Sequence, residues 1–255
     1  HWKQWETLSP EVITTGMIRT YLNGSDLSNK SKKNALVVLG GILSHGDVNP
    51  NPCAPIKFKK QQKAPVERYL PDELEAIMKF LDGEKFVYFS LLRATGLRPG
   101  EAMGLEWTDY DGEYLNVSKQ IVRRRMVNST KTSVRRRVYV PTWVRPILDN
   151  HTTRFKRSNI FLNSFGEFYK DTDDFNEAWK AAHTRARKTY RIPYTLRHTR
   201  AAELLSQGVS AALAAKQLGH SVAMFLSVYS EYLEEYAQED HSGLEGNKPA
   251  SKTKV

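Results

Sequence analysis

Cysteine is almost absent from this chain: Cys53 stands alone among 255 residues. A single thiol excludes an internal disulfide framework and any zinc knuckle built on paired cysteines, and it fits a reducing cytoplasm. No apolar run approaches the roughly 18 residues that a membrane span needs, so no membrane role is expected. There is no GxxxxGK[ST] phosphate loop, no HExxH and no obvious acidic cluster suited to a pair of magnesium ions. Neither a cofactor nor a metal is expected. The N-terminus, HWKQWETLSPEV, is amphipathic, lacks a secretory pattern and begins without methionine. The expectation is a chain trimmed on its N-terminal side.

Positive charge, by contrast, is abundant. Thirty-eight Lys plus Arg face twenty-eight Asp plus Glu, a formal charge of +10, which points to a polyanionic partner. The charge lies in blocks. Lys119 to Arg137 holds eight basic residues and no acid, and Lys180 to Arg200 holds seven and no acid. EYLEEYAQED, residues 231 to 240, has five acids and no base. A hydrophobic content of 40% excludes a wholly disordered chain.

Residues 1 to 56 read as short helices. Ser9 and Pro10 open one, and SNKSKKNALVVLGGILSHG carries Leu36, Leu39 and Leu43 as one apolar stripe. NPNPCAPIKFKKQQKAPVER then has four prolines and five Lys/Arg. It reads as an extended linker, with 57–68 as the joint and Lys57, Lys59 and Lys60 placed to follow a phosphate backbone. A second domain, 69–240, opens with LPDELEAIMKFLDG, a capped helix ending at Gly83. FVYFSLLRATGLRPGEAMGLEW predicts two helices around a Gly-Leu-Arg-Pro-Gly turn. GEYLNVSKQIVRRRM and SVRRRVYVP alternate as strands around the turn VNSTKT. Helices follow at about 172–189, 195–207, 211–218 and 222–237, and 241–255 reads as a mobile tail. The fold class is mainly α with a small antiparallel β-sheet (α+β).

Phosphodiester chemistry without a metal needs arginine, lysine and histidine to hold charge on the phosphate, and a side-chain nucleophile. Four stretches supply that set in order: ATGLRPGEAMGLEW (94–107), TKTSVRRRVYVP (130–141), YTLRHT (194–199) and LGHSVAMFLSVYSEY (218–232). Together, across roughly residues 69 to 236, they resemble the tyrosine recombinases, or phage integrases. One motif such as LGH would say little, whereas four in order with a basic hairpin between the first two are specific.

The resemblance implies a helical core-site DNA-binding domain followed by a catalytic domain, the two clamping a duplex from opposite sides. It implies that Arg98 and Arg197 are the two catalytic arginines, Lys131 the hairpin lysine and His220 the histidine of LGH. Tyr229, nine residues after His220, takes the nucleophile's place, with Tyr232 and Tyr236 as rivals on the same helix. The implied reaction is site-specific strand cleavage and rejoining through a 3′-phosphotyrosyl link, without metal or ATP. The implied partners are double-stranded target sites, further copies of the chain in a tetramer, and DNA-bending or directionality factors, within a prokaryotic cytoplasm.

Where the family usually has histidine, this sequence has Tyr194. A phenol donates a hydrogen bond to phosphate but is a poor base, with an ordinary pKa of about 10 against about 6.5 for imidazole. Tyr194 is therefore expected to keep the donor role and lose the base role. The rival for any single arginine in so basic a chain is a solvated face. Lys119 competes with Lys131, and His220 could be a helix cap. Glu101, His198 and Trp107 read as structural, orienting the arginines or filling the core. Arg123, Arg124, Arg125, Arg135, Arg136 and Arg137 read as phosphate grips. A type IB topoisomerase, or a DNA-binding protein with a degenerate site, remains an alternative.

Overall fold

The computed structural model describes residues 2–58, 66–128, 135–163 and 165–236. Lys59, Lys60 and Lys131 lie outside them, as do most of VNSTKT and the tail. The chain divides into two compact units, His1–Ala64 and Pro65–Val255.

The first unit is built on α1 (Thr15–Gly24) and α2 (Asn29–His45). Thr14 and Ser28 start them, each side chain accepting a backbone N–H of the first turn. Ser9 and Pro10 open only a short 3-10 turn. Leu36, Leu39 and Leu43 meet Ile18 and Leu22 in one core, each such fully buried side chain contributing about 1.5–3 kcal/mol. The reading of 49–58 as extended linker is corrected. Asn51 bonds the Gly40 carbonyl at 2.8 Å, Cys53 is buried, and Phe58 packs against the same core. Lys57 stays exposed.

In the second unit, α3 (Pro71–Met78) stops five residues before Gly83 because the chain turns to bury Leu81. Gly83, with φ at 46°, instead starts α4 (Gly83–Thr95). α5 (Pro99–Met103) follows. β1 (Tyr114–Val117), β2 (Lys119–Val122), β3 (Arg125–Asn128) and β4 (Arg136–Tyr139) form two antiparallel pairs, β1 with β4 and β2 with β3. The single strand expected over 112–126 is thus broken. Arg123 and Arg124 both take left-handed backbone, φ 48° and 62°, and make a two-residue hairpin turn.

α6 (Arg145–Asp149), α7 (Asp173–Arg185), α8 (Thr195–Ser206), α9 (Ala211–Leu218) and α10 (Val222–Tyr236) complete the unit. α7 ends early because Arg187 is left-handed and Lys188 caps His183. One core gathers Tyr88, Phe89, Phe161, Phe175 and Trp179. A second gathers Ala201, Leu205, Leu218, Phe225 and Tyr229. α8 runs between them, with Leu196 in the first and Ala201 in the second, and so carries its N-terminal turn to their junction.

Candidate active site

The site assembles at helix ends. α4 closes on Gly96, whose φ of 67° suits a residue without Cβ; a Cβ there would lie 2.4 Å from Leu218. Two residues on, Arg98 is the N-cap of α5, held by Glu101, which accepts the Arg98 backbone N–H at 2.9 Å and its guanidinium at 2.8 Å. The Arg98 side chain remains 32% exposed. Gly100 lets α5 lie against β2, since a Cβ would meet the Ile121 carbonyl at 2.4 Å.

Arg197, in the first turn of α8, is only 1% exposed. Its guanidinium donates to the Gly96 carbonyl at 2.8 Å and to the Leu218 carbonyl. Both lie at helix C-termini, where the backbone carries partial negative charge. A third N–H reaches His220 Nε2 at 2.8 Å. Burial, and then the charge of Arg98, lower the Arg197 pKa to about 10, so it stays charged. His220 follows Gly219, the left-handed cap of α9, and its backbone N–H bonds the Ala215 carbonyl at 2.9 Å. The residue closes α9 and meets Arg197 at once. Burial, then Arg197 and Arg98, lower its pKa to about 4, so it is neutral near pH 7. Because Nε2 accepts from Arg197, the ring proton sits on Nδ1. That atom and Arg197 Nε are buried donors without a partner among the described residues. Such orphans cost about 1–3 kcal/mol each.

Tyr229 projects from α10 and is 1% exposed, its ring 6.3 Å from His220 and 4.8 Å from Phe225. Its hydroxyl lies 2.9 Å from His198 Nδ1. Burial raises its pKa to about 12 against the opposing pull of Arg197. Tyr232 is committed elsewhere, its hydroxyl donating to the Val66 carbonyl with Arg68 over its ring. Tyr194 stands at the N-terminus of α8, and its carbonyl accepts the Arg197 N–H at 3.0 Å. Its ring meets His198 edge-on at 5.2 Å.

The basic blocks divide. A cleft of about 650 Å³ is lined by Arg98, Arg135, Arg136, Arg137, Lys216 and His220, among others. Within it, Arg136 is corrected from phosphate grip to scaffold: both its terminal nitrogens hold Glu101, at 2.9 and 2.6 Å, and its Nε holds the Gln217 carbonyl. Burial raises the Glu101 pKa, but the bonds and charges of Arg136 and Arg98 outweigh it and bring it to about 2. Arg137 pairs with Asp111 at 2.7 Å and Arg124 with Asp171 at 2.7 Å, both well exposed. Arg123 and Arg125 are exposed on the β2–β3 hairpin. Lys119, the alternative to Lys131, pairs its ammonium with Glu106 at 2.9 Å and Asp109 at 3.3 Å. Trp107 fills the core and bonds Thr153 at 3.1 Å. Sequence reasoning missed the Gly96 and Leu218 carbonyls and the reach of His198 to Tyr229. Among the described residues, no group of three acids, histidines or cysteines could hold a metal ion.

The fold that carries these residues is found in known proteins. The integrase of transposon Tn1549, solved with transposon right-end DNA, superposes with a TM-score of 0.74 at 19% identity, over 92% of this chain and 86% of that one. A lambda integrase tetramer bound to a Holliday junction gives 0.65 at 20% identity, over 83% and 65%. These likenesses define the class of fold. Residues 67–235 match the phage integrase family model, and the chain belongs to that family, the tyrosine recombinases. A tyrosine recombinase XerC-like protein of Caldanaerobacter subterraneus is 26% identical over 87% of this chain and 68% of its own length. The prophage integrase IntR of Escherichia coli is 24% identical over 76% of this chain. The chain spans 54% of that relative's length.

Proposed function

We propose that this protein is a site-specific DNA recombinase that cleaves and rejoins strands through a 3′-phosphotyrosyl intermediate. The observation that carries the reading is the meeting of Arg197 and His220, 2.8 Å apart, beside a buried tyrosine hydroxyl. Residues far apart in sequence converge there on the set that metal-free phosphoryl transfer needs. Tyr229 attacks the scissile phosphate. Arg98 and Arg197 hold its non-bridging oxygens, and a bound phosphate gives the unpartnered His220 Nδ1–H and Arg197 Nε–H an acceptor. Tyr194 donates a further hydrogen bond. Lys131 protonates the departing 5′ oxygen, and a 5′ hydroxyl from another duplex reseals the link. Charge developing on the phosphate is thus met by donors fixed in advance.

By this reading the first unit is a core-site DNA-binding domain and the second the catalytic domain. The protein works on paired sites as a tetramer, the assembly in which lambda integrase is seen bound to a Holliday junction, with bending or directionality factors as further partners, in the cytoplasm of a prokaryote. No helix among the described residues is long and apolar enough to cross a membrane.

Tyr229→Phe tests the reading, because it removes one hydroxyl and little surface. Covalent capture of nicked duplexes should vanish while equilibrium binding to the same duplexes persists. An adduct that survives in Tyr229→Phe places the nucleophile elsewhere.

A further inference from the structure

A tyrosine nucleophile needs its proton removed, and Tyr194 is poorly suited to that task for the reason given above. The hydroxyl of Tyr229 has a hydrogen-bond partner. On α8, one residue past Arg197, His198 places Nδ1 2.9 Å from it, within the reach a general base requires. The imidazole is fixed from two sides, edge-on to Tyr194 at 5.2 Å and against the Tyr229 ring at 5.7 Å. It is half-buried rather than sealed, so a proton gained there can pass on to solvent. The charged and titratable groups facing it are Arg197 on α8, Tyr194 at the cap of α8, Tyr229 on α10 and His220 between α9 and α10. Burial and the Arg197 charge hold its pKa below the ordinary imidazole value, so it is neutral and able to accept near pH 7.

We infer that His198 is the general base of the reaction: Nδ1 takes the Tyr229 hydroxyl proton as that oxygen attacks phosphorus. The inference rests on the recombinase reading. In the step, the Oη–H bond breaks as the Oη–P bond forms. The P–O5′ bond then breaks, and the departing 5′ oxygen takes its proton from Lys131. His198 carries the tautomer with its proton on Nε2, and Tyr194 positions the ring.

The experiment is single-turnover cleavage of a labelled pool of nicked duplexes with randomised sequence around the nick, from acid to neutral pH. Parent, His198→Asn, His198→Ala and Tyr229→Phe are compared. The parent rate should rise with pH through the His198 pKa, below the ordinary 6.5, and level off above it. Asn keeps an acceptor at the Nδ1 position but takes no proton. His198→Asn should cleave about 10²–10⁴-fold more slowly, the usual range for a positioned base, lose the pH rise and still bind the pool. Added imidazole should speed His198→Ala. Nitrogen NMR of histidine-labelled parent should show Nδ1 of His198 unprotonated at neutral pH. His198→Asn cleaving at the parental rate, absence of imidazole rescue in folded His198→Ala, or a protonated Nδ1 overturns the assignment. A parent that forms no Tyr229-dependent adduct overturns the recombinase reading itself.

Discussion

Two arginine-rich regions of the second unit look alike in sequence and differ in kind. Arg197 sits at the junction of two cores, its guanidinium spent on the C-terminal carbonyls of α4 and α9 and on His220. Arg123, Arg124 and Arg125 sit on a hairpin in water, and Arg124, 70% exposed, pairs with the surface acids Asp171 and Asp173. In the first region desolvation fixes one geometry and makes each lost partner costly. In the second, solvent screens the charge and leaves the side chain free to move. The RRR at 135–137 shows the division inside three residues: Arg136 is sealed against Glu101 while Arg137 lies out over Tyr114 with Asp111. Local charge density is therefore no guide to which arginine does chemistry and which holds a backbone.

The comparison would be broken most sharply by a residue of the basic block 119–137 that behaved like a pocket residue. Lys131, between β3 and β4, is proposed to be that residue. Lys131→Ala should slow single-turnover cleavage by about 10²–10⁴-fold, as for loss of a general acid. A substrate with sulfur at the 5′ bridging position, whose leaving group needs no proton, should restore Lys131→Ala and not Arg98→Ala. Equal rescue of both removes the distinction.

Next in size is the scaffold under the pocket. Glu101→Ala leaves Arg136 buried and unpaired, and denaturant unfolding should show a loss of about 3–5 kcal/mol. Its pH counterpart has a definite sign. The folded-state pKa of Glu101 is depressed from 4.5 to about 2, so its contribution is full above the unfolded value and is lost as pH falls from 4.5 towards 2. At about 1.4 kcal/mol per pKa unit, the parent should lose roughly 3 kcal/mol across that window that Glu101→Ala does not. A parallel decline in both proteins would assign the stability elsewhere.

Tyr194→Phe keeps the ring against His198 and deletes one donor to a charged group, worth about 1.5–3 kcal/mol, or roughly 10- to 150-fold in rate if felt in the transition state. A silent Phe variant from pH 5.5 to 9 would leave Tyr194 with packing alone. Smallest is Arg124→Ala. The exposed pair with Asp171 should contribute no more than about 1 kcal/mol to stability, while the salt dependence of DNA binding should weaken by about one phosphate contact. A loss of stability near that of Glu101→Ala would erase the contrast between the two regions.

The sequence by itself settled a good deal. Apolar period placed α2, α4, α5 and α8 to α10, because that signal acts over one or two turns, whereas the cap read at Ser9 opens a 3-10 turn and α1 starts at Thr14. The order and spacing of GLRPGE, YTLRHT and LGHS…Y singled out Arg98, Arg197, His220 and Tyr229 as the residues proposed for the chemistry, and the fold brings Arg197, His220 and Tyr229 together. Tertiary structure decided the rest. Arg123 and Arg124 became a left-handed turn because β2 and β3 pair with each other while β1 takes β4 as its partner, a long-range choice that alternation cannot show. Arg136 became scaffold because Glu101, thirty-five residues away, lies under it once α5 packs on β2. His198 became a partner of Tyr229 only when α10 folded across α8. An arginine or a histidine carries its charge and its donors wherever it stands; which of them are spent depends on groups that only packing brings within 3 Å.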